Sequence, residues 1–119
     1  MAQTALTPIQ LKQNNYAVVA GDLATTFTAA DTVNGNSFAA TGNEILLIQN
    51  TDAAAHTFTV SSVADSLGRT DTSLANYSVA ANTIAAIQIS TLAGWIQSNG
   101  NINLTSSSNL LKFAVLRKN

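Results

Sequence analysis

Reactive side chains are few in this chain, and they are scattered. His56 is its single histidine, and cysteine is absent. A zinc site draws three or four ligands from His, Cys and carboxylate groups, and nothing around His56 supplies them. Disulfides and thiolate sites are excluded outright. His56 reads as a strand-edge histidine bonded to a neighbour. Serines are abundant, but no G-x-S-x-G elbow frames any of them as a nucleophile. The acids Asp22, Asp31, Glu44, Asp52, Asp65 and Asp71 stand mostly beside turns, where short carboxylates satisfy local amides. A glycosidase pair needs two acids about 5–9.5 Å apart across a cleft, and a domain this small rarely encloses one. The acids do not follow the EF-hand order. No catalytic residue, metal site or cofactor is expected.

Residues suited to contact are easier to find. The loop DSLGRTD holds Arg69, whose rigid five-donor fork fits a carboxylate or a cluster of carbonyls. It either closes a local pair with Asp65 or Asp71 or grips a partner. Tyr77 and Trp95 are amphipathic aromatics, natural interface anchors. In a β fold one of them, Trp95 before Tyr77, belongs in the core with its polar atom bonded. Two Tyr and one Trp are too few to argue a carbohydrate-binding face from composition. Pro8 and Lys12 lie in the N-terminal segment, and Arg117 and Lys118 in the C-terminal one; these are the plausible extensions toward a partner. Asn76-Tyr77-Ser78 and Asn103-Leu104-Thr105 match the glycosylation pattern, but without a signal peptide they read as chance.

These residues must be positioned by short strands. Thr, Val and Ile are common, and branching at Cβ favours the pleated backbone. The segment from Thr4 to Lys12 contains Pro8, so it reads as a sheet edge. Tyr16 to Val19 is a second apolar stretch, and Thr25 to Ala29 alternates around Phe27. Asn34-Gly35 is the strongest hairpin signal, with Phe38 anchoring the return arm. EILLIQ, from Glu44 to Gln49, reads as a central strand covered on both faces. It forms a central hairpin with His56 to Ser61 through the Asn50-Thr51-Asp52 turn, with Phe58 and Val60 inward. The span 62–76 is the longest loop. Tyr77 to Val79 and Thr83 to Ser90 follow, then a turn at Asn99-Gly100. Asn101 to Thr105 turns Ile102 and Leu104 inward. Leu110 to Arg117 puts Leu111, Phe113 and Val115 on one face.

The pattern predicts one all-β domain over 1–119, with an N-terminal arm over 1–12. Eight to ten short strands favour an antiparallel β-sandwich or β-barrel, of jelly-roll or Greek-key type. The 119 residues suffice for one thin core. Charged residues make up 9% of the chain and the net charge is -1, against about 25% charged in a typical domain. Nucleic-acid wrapping has no electrostatic basis here, whereas a weakly self-repelling surface permits assembly. No apolar run approaches a membrane span. The opening MAQTALTPIQLK lacks the basic and apolar regions of a secretory signal, so synthesis in the cytoplasm is expected.

In order along the chain stand LTPIQLKQN, NEILLIQNTDAAAHTFTV, SLGRTD, YSVAANTIAAIQI and GWIQSNGNINLTSSSNLLKFAVLRK. Over residues 4–118 this succession resembles the small head decoration, or capsid cement, proteins of tailed bacteriophages. Each piece is a generic strand and turn, and the resemblance lies in their order. It implies a non-enzymatic virion protein on the capsid exterior that binds the major capsid protein, stabilises the head and forms homo-oligomers, often trimers. The chain departs from the pattern at Ala80-Ala81-Asn82, where relatives often carry glycine, and at STLAG, where they often carry a proline-rich stretch. A tail- or fibre-associated virion protein and a carbohydrate-binding β module are the alternative readings.

Overall fold

In the computed structural model, residues 3–11, 25–64, 67–70 and 74–118 are described. Every regular element among them is a strand. These are β1 (Thr4–Ala5), β2 (Ile9–Gln10), β3 (Thr28–Ala29), β4 (Asn36–Ala39), β5 (Glu44–Asn50), β6 (His56–Val60), β7 (Tyr77–Val79), β8 (Ile84–Ile89), β9 (Asn101–Ser106) and β10 (Leu111–Arg117). They form two sheets. One runs β1-β4-β9-β6-β7; the other runs β2-β10-β5-β8, with β3 also pairing β10.

Alternation builds the core, because successive side chains in a strand point to opposite faces. In β9, Ile102 and Leu104 are buried while their neighbours are not. In β10, Leu111, Phe113 and Val115 are buried, as are Phe58 and Val60 in β6. The inner faces of both sheets feed one cluster. Phe58 of one sheet meets Phe113 of the other edge-on, with centroids 6.4 Å apart and planes at 71°. Each such side chain contributes about 1.5–3 kcal/mol by leaving water.

The strand β5 is central, lying between β10 and β8. Its inner face reads Glu44, Leu46, Ile48, Asn50, all buried, while Ile45 and Leu47 on the other face are half-buried. The two polar ends plug the layer. Asn50 Nδ2 donates to the Ala54 and Val79 carbonyls at 2.9 and 3.0 Å, and its Oδ1 accepts from the Asp52 amide at 2.9 Å.

Pairing departs from the expected scheme in three ways. The sheets are mixed rather than antiparallel, because β1 runs parallel to β4 and β2 parallel to β10. These partners are far apart in sequence, so no helical crossover is needed to align them. Second, β5 and β6 do not form a hairpin: they lie in different sheets, and β6 pairs β7 and β9. Third, Asn34-Gly35 makes a turn but not a hairpin, since β3 joins β10 while β4 joins β9. Gly35 has φ +82°, and a Cβ there would lie 2.8 Å from the Leu104 carbonyl oxygen. The glycine thus serves both its conformation and a close backbone approach. Save for β6 to β7, every link between successive strands from β3 to β10 crosses between the sheets.

The N-terminal segment lies on its own domain. The Thr4 and Leu6 amides donate to the Gly35 and Ser37 carbonyls at 3.0 and 2.7 Å, and the Leu11 amide donates to Arg117 at 2.9 Å. Leu6 is buried. Pro8 stands where the chain passes from the edge of one sheet to the edge of the other, a place that asks for no amide hydrogen. The stretch from Tyr16 to Val19 lies outside the described residues.

Candidate functional site

The sequence-selected residues fall into separate places. Pro8, Arg117 and Lys118 share a corner, because β2 pairs the end of β10 with Ile9 beside Leu116. Pro8 is half-buried and Lys118 exposed. Lys12 lies outside the described residues. Arg69 is exposed on the 62–76 loop; Asp65 and Asp71, its prospective local partners, lie outside the described residues. Tyr77 and Trp95 belong to the flank formed by the two edge strands β7 and β8.

Arg117 is engaged internally. Its Nε donates to Glu44 Oε2 at 2.7 Å and its Nη2 to the Ala39 carbonyl at 3.1 Å. Its side chain keeps 30% exposure, whereas Glu44 has none. Glu44 also accepts from the Thr41 hydroxyl at 2.6 Å and from the Thr41 and Gly42 amides at 2.7 and 3.1 Å. Burial pushes the Glu44 carboxyl up, but the Thr41, Arg117 and Gly42 donors together outweigh it and hold the group down to about 2. This carboxylate is an anchor for the β4–β5 turn rather than a proton donor at neutral pH.

The remaining described acids serve turns. Asp31 accepts from the Val33 and Asn34 amides at 3.1 and 3.0 Å and from the Thr4 hydroxyl at 2.7 Å. Chiefly the Asn34 amide, then the Thr4 hydroxyl, holds its carboxyl below the usual range. Asp52 meets His56 Nε2 at 2.7 Å and accepts from the Ala53 amide at 2.7 Å. His56 first, then that amide, lowers Asp52. His56 is bonded to a neighbour as expected, but it opens β6, which lies inside its sheet between β9 and β7 rather than at an edge. Among the described residues, no group of three or more His, Asp or Glu side chains could hold a metal ion.

The β7–β8 flank differs in character. A shallow hollow of about 240 Å³ opens beside β8, lined by Val60, Leu74, Ile87, Ile89 and Trp95 together with the polar Gln88, Ser90 and Thr91. A second, of about 130 Å³, adjoins it across Leu74 and is lined by Phe58, Tyr77 and Ala85 among others. Tyr77 is 50% exposed and leans on Phe58 with centroids 5.7 Å apart. Trp95 is half-buried and packs against the core. Among the described residues, neither hollow is lined by a carboxylate or by His56. Chemically the described part of this surface can desolvate apolar side chains and carries no carboxylate or imidazole.

Two features had no marker in sequence. Glu44 and Arg117 are 73 positions apart, and no local pattern announces their pairing. The exposed edge of β8, with Ile84 57% exposed, reads in sequence like any other strand. Comparison with protein-family models, with curated proteins and with solved structures finds no match to this chain.

Proposed function

We propose that this chain is a virion structural protein that binds the outer surface of a major capsid shell and stabilises the head. The strand order carries this reading. With β1 and β2 set aside, the sheets run β3-β10-β5-β8 and β4-β9-β6-β7, and nearly every connection changes sheet. This order favours reading the two sheets as a jelly-roll sandwich, an architecture used by capsid proteins and lectins. Fold alone never fixes function. The scarcity of charge and the resemblance of the segment order to that of phage decoration proteins add to it. So does the character of the hollows, whose described lining is largely aliphatic and aromatic. A protein of this kind acts through its exterior, where modest contacts repeated by shell symmetry give firm attachment. It is non-enzymatic and acts as an oligomer on the capsid exterior, without nucleic acid, membrane or cofactor.

Co-sedimentation with purified empty heads of the same virus tests the proposal. Saturable binding at a fixed ratio to capsid subunits is expected, with bound heads bursting at higher temperature than bare ones. Heads that leave the chain in the supernatant would refute it. A second reading, a carbohydrate-binding module, draws on Trp95 lying in an open hollow beside Gln88 and Thr91. A glycan array decides between them: a specific sugar hit that Trp95→Ala abolishes would favour that reading over the shell.

A further inference from the structure

We propose that the edge of β8 left unpaired among the described strands pairs with β8 of a second copy of this chain, antiparallel across a two-fold axis, so that two of the sheets become one continuous sheet. This does not depend on the capsid reading.

The hydrogen-bond phase of β8 follows from its register. Asn50 is opposite Thr83 by extension of the β5–β8 register, and the Asn50 amide donates to the Thr83 carbonyl at 2.9 Å. In an antiparallel pair, bonded and non-bonded residue pairs alternate. Thr83, Ala85, Ile87 and Ile89 therefore turn their backbone groups toward β5. Ile84, Ala86 and Gln88 turn theirs outward, and all three are exposed. The opposite side of the same sheet is already covered, because β2 and β3 both pair the far edge of β10.

A six-residue open edge ordinarily carries a device against pairing: a charge, a proline or a bulge. The strand IAAIQI has no charge and no proline, and its pairing with β5 runs without interruption from Ile84 to Ile89. The wider context is equally bare. No Asp, Glu, Lys, Arg or His occurs between Asp71 and Lys112, a span that contains both edge strands of this flank, β7 and β8.

A second copy suits this edge on several grounds. Centred on Ala86, the two-fold pairing sets Ile84 opposite Gln88 of the other copy and Ala86 opposite Ala86. On the inner face it sets Ala85 opposite Ile87, so the aliphatic layer continues from one copy into the other. Nowhere does it oppose like charges, which would cost stability in a cross-strand pair. The outward amides and carbonyls of three residues on each side close about six main-chain hydrogen bonds. The hollow beside Ile87 and Trp95 opens next to the same edge and would be narrowed by the incoming strand. With a net charge of -1, two copies repel only weakly. The arrangement is isologous, the commonest symmetry of homo-oligomers, and is a dimer contact rather than a three-fold one.

The test is light scattering coupled to size exclusion, over a dilution series, on the full chain and two variants. Ala86→Lys puts two ammonium groups face to face at the axis while its side chain stands in solvent in the single copy. Ala86→Pro removes an amide hydrogen that faces outward, so the β5 ladder keeps its bonds. The wild type is expected at twice 12.3 kDa, and both variants at half that mass with unchanged far-ultraviolet circular dichroism. Hydrogen exchange gives an independent reading: the Ile84, Ala86 and Gln88 amides are protected in the wild type and exposed in Ala86→Lys. A monomeric wild type overturns the proposal, and so does an Ala86→Lys variant that stays dimeric. Should Ala86→Pro fail to fold, Ala86→Lys and the exchange pattern decide.

Discussion

Glu44→Gln is the substitution whose consequence can be worked furthest. The wild-type carboxylate is fully buried and accepts four hydrogen bonds, from the Thr41 hydroxyl, the Thr41 and Gly42 amides and Arg117 Nε. Its ordinary value of 4.5 falls to about 2 in the folded protein. That difference favours the folded state by roughly 3 kcal/mol at neutral pH. Glutamine keeps the size but loses the charge, and it turns an NH2 group toward donors. The expected loss at pH 7 is about 2–4 kcal/mol, a large share of the 5–15 kcal/mol typical of a domain. In urea this moves the midpoint down by about 1–3 M. The pH dependence gives the sharper test. A depressed carboxylate contributes fully above its unfolded value and loses that contribution as protons bind. The gap between wild type and Glu44→Gln should therefore hold from pH 7 down to about 5, shrink from 4.5 downward and close near pH 2. Because Asp31 and Asp52 are common to both proteins, their own acid sensitivity cancels in the difference. A gap under about 1 kcal/mol at pH 7, or one that persists undiminished at pH 2, would refute the assignment of Glu44 as a charged anchor.

Two further substitutions probe the layers. Phe113→Ala opens a cavity where the sheets meet, since Phe113 is fully buried against Phe58; a loss of about 3–5 kcal/mol is expected in urea melts, and a loss within 1 kcal/mol would contradict the shared core. Gly35→Ala forces a side chain onto φ +82° and within 2.8 Å of the Leu104 oxygen. It should cost about 1–3 kcal/mol and speed exchange of the Thr4 amide, which donates to the Gly35 carbonyl; slow exchange with unchanged stability would count against that turn.

The amino-acid order made the local features legible. The alternation in HTFTV, NINLT and LKFAVLR put Phe58, Val60, Ile102, Leu104, Leu111, Phe113 and Val115 inward, and each is buried. Turn chemistry placed Asn34-Gly35 and Thr51-Asp52 between strands, although β5 itself runs on through Asn50, and EILLIQ was legible as a central strand. These readings succeed because side-chain direction in a strand has a period of two, which any short window contains. Partnership came only with the three-dimensional arrangement. It sent β5 and β6 to different sheets, made Asn34-Gly35 a bridge between layers and laid the N-terminal segment parallel to β4 and β10. It also joined Glu44 to Arg117 and, among the described strands, left β8 with only β5 beside it. A strand's sequence states which face it buries but not which neighbour completes its hydrogen bonds. Backbone amides and carbonyls are alike in every residue but proline, so that choice is made only when two layers close over a common core.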